Sequence, residues 1–146
     1  MNIIFDHYYD LIKSSIAGKA LYSIIVGVVG VLILAVFFTV PVRVASLSFL
    51  MPWFMAFNCA LTGYMLLEKT LDRLKYKRTF AIGAGVAVVV LACASMFFML
   101  PAVIDASQIT MNDLLLWFII GAVFSWLGGI LAIKYDNLKR KGGIAS

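Results

Sequence analysis

The chain has 146 residues, of which 64% are hydrophobic and 13% charged, with a mean hydropathy of +1.04. This excludes an ordinary soluble domain, in which about 25% of residues are charged. The formal net charge of +5 does not point to nucleic acid, because the bases lie in short clusters between apolar runs.

Residues 1–20 precede the first apolar run. Ile4, Tyr8, Leu11, Ile12 and Ile16 recur at helical spacing, with Asp6, Asp10, Lys13 and Ser14 off that stripe. The pattern predicts a short amphipathic helix on the cytoplasmic leaflet leading into span one, or else a cytoplasmic continuation of helix one. His7, the sole histidine, has no second ligand or nucleophile beside it. Gly18-Lys19 lacks the upstream glycine of a phosphate-binding loop.

Four apolar runs follow, at about 21–40, 45–67, 80–104 and 114–133, and none contains Lys, Arg, His, Asp or Glu. About twenty apolar residues of helix cross the ~30 Å hydrocarbon core, so each run predicts a transmembrane helix. Run one exceeds the usual signal-peptide core of about 7–15 residues, and the Val44-Ala45-Ser46 pattern after it is weak, so an uncleaved anchor is expected. Pro41 and Pro101 mark the ends of helices one and three. Pro52 falls inside span two, where it would remove the hydrogen bond to the Ser48 carbonyl. Alternatively, helix two begins near Met51 and Pro52 occupies its first turn. Asn112-Asp113 offers an N-cap for helix four. Residues 134–146 read as a basic cytoplasmic tail.

The threading follows from charge. Eleven of the twelve basic residues lie before span one, between spans two and three, or after span four, whereas Asp105 to Asp113 carries two acids and no base. By the positive-inside rule both termini and the central loop are cytoplasmic. Arg43 is the sole base of the outer turns. It is a candidate outer-face contact, through headgroup phosphates or Asp105 and Asp113.

The halves repeat. Phe37-Phe38 with Pro41 matches Phe97-Phe98 with Pro101, and Trp53-Phe54 matches Trp117-Phe118. Nineteen residues after each of those tryptophans come Asp72-Arg73-Leu74-Lys75 and Asp136-Asn137-Leu138-Lys139. The offset grows from 60 to 64, as a longer second outer turn would produce. The pattern reads as two tandem hairpins related by an axis along the membrane normal.

Inside the spans two features stand out. Gly121, Ser125 and Gly129, with Gly128 alongside, form a small-residue ridge on span four, a candidate packing face against helix three or one, or an oligomer face. Asn58 is the only carboxamide in any span, and a buried amide needs a partner. Thr62, Ser95 and Ser125 lie at comparable depth, so Asn58, Thr62 and Ser95 are the candidate intramembrane polar site. Cys59 and Cys93 fall near mid-depth and show neither CxxC nor Cys/His ligand spacing.

No triad, carboxylate pair, phosphate cradle or metal-ligand spacing occurs in the spans, so no catalytic, cofactor or metal site is expected. Size and span count resemble two groups of small four-helix membrane proteins, the multidrug transporters and the fluoride channels. The likeness is architectural only. The glutamate that the first group carries in helix one has no counterpart between Leu21 and Val40, and the strong charge bias departs from both. The expected protein is an all-α, four-helix integral bundle of the cell inner membrane, whose partners are the bilayer and another membrane protein or itself. Its expected role is non-catalytic: an accessory subunit, or an immunity or exclusion protein. The alternative is an oligomeric small transporter or lipid-handling carrier for a hydrophobic substrate.

Overall fold

The computed structural model describes residues 15–39, 47–70, 76–99 and 110–142. The described residues form four helices and no strand: α1 (Ile16–Thr39), α2 (Leu47–Thr70), α3 (Lys77–Met99) and α4 (Met111–Gly142). All four are long and apolar enough to cross a membrane. The fold is an all-α bundle, and these helices fit a multi-pass membrane protein.

The helix ends differ from expectation for local reasons. α1 begins at Ile16, so residues 16–20 continue helix one, the second of the two readings of this stretch. Ser15 caps it: its hydroxyl accepts from the Gly18 amide at 2.9 Å and its carbonyl from the Lys19 amide at 3.2 Å. The amphipathic stretch before Ser15 lies outside the described residues. α3 takes in Lys77 and Arg78, because lysine and arginine are good helix formers that reach water from a helix end. α4 is capped by Thr110, not by Asn112-Asp113. The Asp113 amide donates to Thr110 Oγ1 (3.3 Å), while Asp113 Oδ2 accepts from the Thr110 amide (2.8 Å) and hydroxyl (2.7 Å). This is a capping box in which aspartate answers the threonine. At its other end α4 runs on through residues 134–142, so much of the basic tail is helix. Arg140 Nε reaches Asp136 Oδ2 at 2.7 Å one turn back.

Pro52 stands sixth in α2, so the helix begins before it and the first-turn alternative does not hold. Pro52 therefore leaves the Ser48 carbonyl without its i+4 donor.

Helix α2 is the centre of the bundle. It packs on all three others, most extensively on α4, while α1 and α4 make no comparable contact. In its most apolar window 56% of α2 is buried, against 22% for α1 and 28% for α4. Hydropathy runs the other way, highest in α1 and lowest in α2. A helix facing protein can keep Asn58, Thr62 and Thr70 buried, whereas a helix facing lipid carries apolar side chains all round. The main core joins Val31, Ala35, Met51, Phe54, Met55, Cys59, Val88, Val89, Ala92 and Trp117. A smaller cluster at the lysine-rich end holds Leu67, Ala81 and Ala132.

The proposed repeat keeps its boundaries but not its packing. α1 and α3 end sixty residues apart and α2 and α4 begin sixty-four apart, matching the sequence offsets. A twofold axis relating the hairpins would, however, pair an α1–α4 contact with the α2–α3 contact, and only the second is substantial. The matched tryptophans diverge as well: Trp53 is 67% exposed and Trp117 is 1% exposed.

Candidate functional site

Five polar side chains are buried among the described residues: Ser23, Asn58, Thr62, Thr70 and Ser125. Each donates to a backbone carbonyl and none to another side chain. Within their own helices, Ser23 Oγ reaches the Ala20 carbonyl (2.9 Å), Asn58 Nδ2 the Phe54 carbonyl (2.9 Å) and Thr70 Oγ1 the Leu66 carbonyl. Thr62 Oγ1 lies 2.8 Å from the Asn58 carbonyl and 3.3 Å from that of Ser23 on α1, so its single proton is shared between the two helices. Ser125 Oγ crosses from α4 to the Ala81 carbonyl on α3. Cys59 Sγ points to the Gly85 carbonyl at 3.7 Å, linking α2 to α3.

The candidate polar site therefore splits. Asn58 and Thr62 face α1, where Asn58 Oδ1 lies against Gly30 and Thr62 Oγ1 against Gly27. A Cβ at either glycine would collide with that oxygen. The Cα–H that takes the place of the Cβ at Gly30 points at Asn58 Oδ1, a weak donor meeting the one strong acceptor on this face. Ser125 faces α3. Ser95 is half-buried on α3 and makes no hydrogen bond to Asn58. Asn58 is thus served by its own helix and a glycine, not by the hydroxyls at its depth.

The helix-four ridge lies wholly inside the chain. Gly121 faces Val89 and the Gly85 carbonyl on α3 and Cys59 on α2. Gly128 faces the Ala60 carbonyl, and Gly129 faces Leu67 and Ala81. Of the expected neighbours, α3 is met at Gly121, Ser125 and Gly129 and α1 is not, while α2 adds the most extensive contact of helix four. Gly63, opposite Ser125, completes this contact, since a Cβ there would strike the Ser125 backbone carbonyl. Gly63 and Gly128 thus form a reciprocal pair, each directing a Cα–H at a carbonyl of the facing helix. Gly63, Gly27, Gly30 and Ser23 were not singled out beforehand. The Cys59-x-x-x-Gly63 spacing is a small-xxx-small pair that carried the signal for the first.

At the lysine-rich end Lys19 Nζ donates to the Lys69 carbonyl at 3.0 Å, and Lys69 Nζ sits 4.2 Å from the centre of the Tyr22 ring. A cation on the last turn of α2 suits the negative end of that helix, and the cation–π contact adds to it. At the other end Phe38 of α1 meets Phe54 of α2, ring centres 5.3 Å apart. Arg43 lies outside the described residues.

Both cysteines are free. Among the described residues no three His, Cys, Asp or Glu side chains come together. Among the described residues one buried side-chain polar atom, Trp117 Nε1, meets no hydrogen-bond partner. The arrangement is a set of helix-to-helix fastenings with an acidic rim, Asp113, at the end remote from the lysines. Comparison with family models, with curated proteins and with solved structures finds no match.

Proposed function

We propose that this chain is a multi-pass protein of the cell inner membrane, with both termini cytoplasmic and a non-catalytic interaction role, as an accessory subunit of a membrane complex or as an immunity or exclusion protein. One observation carries the reading: the bundle axis is filled. Met51, Met55, Val88, Val89 and Trp117 are at most 1% exposed, and glycine contacts bring the α2 and α4 backbones together beneath them. A filled axis provides no route for a substrate through one chain, and its tightly matched helices suit a rigid body that presents its outer faces. α1 is the least buried helix and presents Ile25 and Ile33, 50% and 62% exposed, away from the bundle.

Support for the orientation comes from the placement of charge. Lys19, Lys69 and Lys77 lie at ends of α1, α2 and α3, and Lys134 follows Ala132 on α4, at the end where Lys19 meets Lys69 and where Leu67, Ala81 and Ala132 cluster.

The test is site-specific photo-crosslinking from Ile25 and Ile33 in the native membrane, followed by gentle extraction and native mass spectrometry. A larger, reproducible membrane partner joined at both positions is the expected result. Adducts made only of this chain would favour an oligomeric carrier and overturn the accessory reading. Such an oligomer would need a face other than the buried ridge of α4.

A further inference from the structure

The two most closely packed helices do not stay together along their length. In the half nearer the lysines, Gly63 and Gly128 set the α2 and α4 backbones in contact. Toward the other end the facing residues become large, and the helices leave a groove of about 550 Å³ lined by Phe49, Pro52, Trp53, Ala56, Asp113, Leu116, Ile120 and Phe124. Small residues at one end and aromatic residues at the other make a wedge open at the acidic rim.

The depth of the wedge selects its occupant. Its α4 wall runs from Asp113 to Phe124, which at ~1.5 Å per residue is about 16 Å of helix. Half of the hydrocarbon core is about 15 Å. A transmembrane helix of a partner continues through both leaflets, whereas an acyl chain of one leaflet ends near the midplane. The groove closes where such a chain ends.

The rim selects the headgroup. Asp113 is half-buried there, and both bonds from Thr110 fall on Oδ2, which leaves Oδ1 with no hydrogen bond among the described residues. Trp53, at 67% exposure, adds an aromatic face that attracts cations. The rim therefore combines a carboxylate acceptor and its negative charge with an aromatic face. We propose that this groove binds one acyl chain of a phospholipid whose headgroup bears a primary ammonium, the ammonium donating to Asp113 Oδ1. A quaternary ammonium has no N–H to give, and an anionic headgroup is repelled.

The test needs only the intact chain in a bilayer and does not depend on the proposed interaction role. The purified protein is equilibrated in vesicles of dioleoyl phosphatidylethanolamine, phosphatidylcholine and phosphatidylglycerol in equal parts, and retained lipid is weighed by native mass spectrometry. One phosphatidylethanolamine per chain is expected, favoured over phosphatidylcholine about threefold to fivefold, as suits a partly exposed ion pair. Asp113→Asn keeps the size and one oxygen to accept both Thr110 bonds, replaces the other oxygen by an NH2 donor, and should bring the two lipids to parity. Leu116→Trp fills the groove from its exposed side and should lower retention of all three. No retained lipid, no headgroup preference, or a preference unchanged by Asp113→Asn would each overturn the proposal. So would a protein helix cross-linked into the groove from Phe49.

Discussion

Glycine positions in this protein differ in what an added Cβ would meet, which is backbone, a side chain or open space, and the difference is measurable. A Cβ at Gly63 runs into the Ser125 carbonyl, a backbone atom that cannot rotate away, whereas a Cβ at Gly83 finds nothing within 4 Å. Gly63→Ala should therefore cost about 1–3 kcal/mol, the range for overpacking a tight contact. Gly83→Ala should be neutral or stabilising by up to ~1 kcal/mol, because alanine favours helix over glycine. Reversible unfolding of each variant in mixed micelles gives the comparison. Equal effects would show that α2 and α4 are not in backbone contact at Gly63. The contrast also marks how far residues were legible in the sequence. That Asn58, Ser125 and the glycines of helix four face protein follows from the cost of polar groups in lipid and from the use of small residues in packing. Which helix they face does not. The few polar side chains on the protein-facing surfaces bond to backbone carbonyls, which every helix offers, so polarity does not tell one neighbour from another.

At the scale of the helix, the centres were legible and the ends were not. The apolar runs place all four spans. Their boundaries shift because Lys77, Arg78 and residues 134–142 are helical as well as charged, and a hydropathy window stops where charge begins. The cap of α4 shows the same point in detail. Asn112-Asp113 has the right composition for an N-cap, yet Thr110 holds that place and Asp113 answers it from one turn in. Thr110→Ala should cost about 0.5–2 kcal/mol as a lost N-cap. The loss should appear first as faster amide exchange over the first turn of α4, with the Gly63–Ser125 contact unaffected. Exchange rising evenly along the helix would mean that the capping box fastens more than its own end. α1 presents the opposite case, an apolar helix with most of its surface outward, held to α2 by the Thr62 hydroxyl, by two glycines and by the Lys19 and Tyr22 contacts at one end.

For the whole molecule the outstanding question is direction. The helices alternate, so one labelled position at each end decides the orientation of all four. The electrostatic argument is that lysine and arginine near span ends are retained on the cytoplasmic side. Lys19, Lys69, Lys77, Lys134, Lys139 and Arg140 lie at the ends of helices that the structure places together, and Asp113 begins α4 at the other end. The native thiols are poor targets for a membrane-impermeant reagent, since Cys59 is fully buried and Cys93 lies within a span. Replacing both with alanine yields a silent background for new thiols. In intact cells, Thr110→Cys should then react with an impermeant maleimide, while Lys139→Cys should react only after the membrane is permeabilised. The reverse pattern would invert the topology and move the lysine-rich end outside. Labelling of both positions in intact cells would mean that the chain inserts in either direction, which a charge asymmetry of this strength opposes. Only the first result leaves the acidic rim of the α2–α4 groove in the outer leaflet.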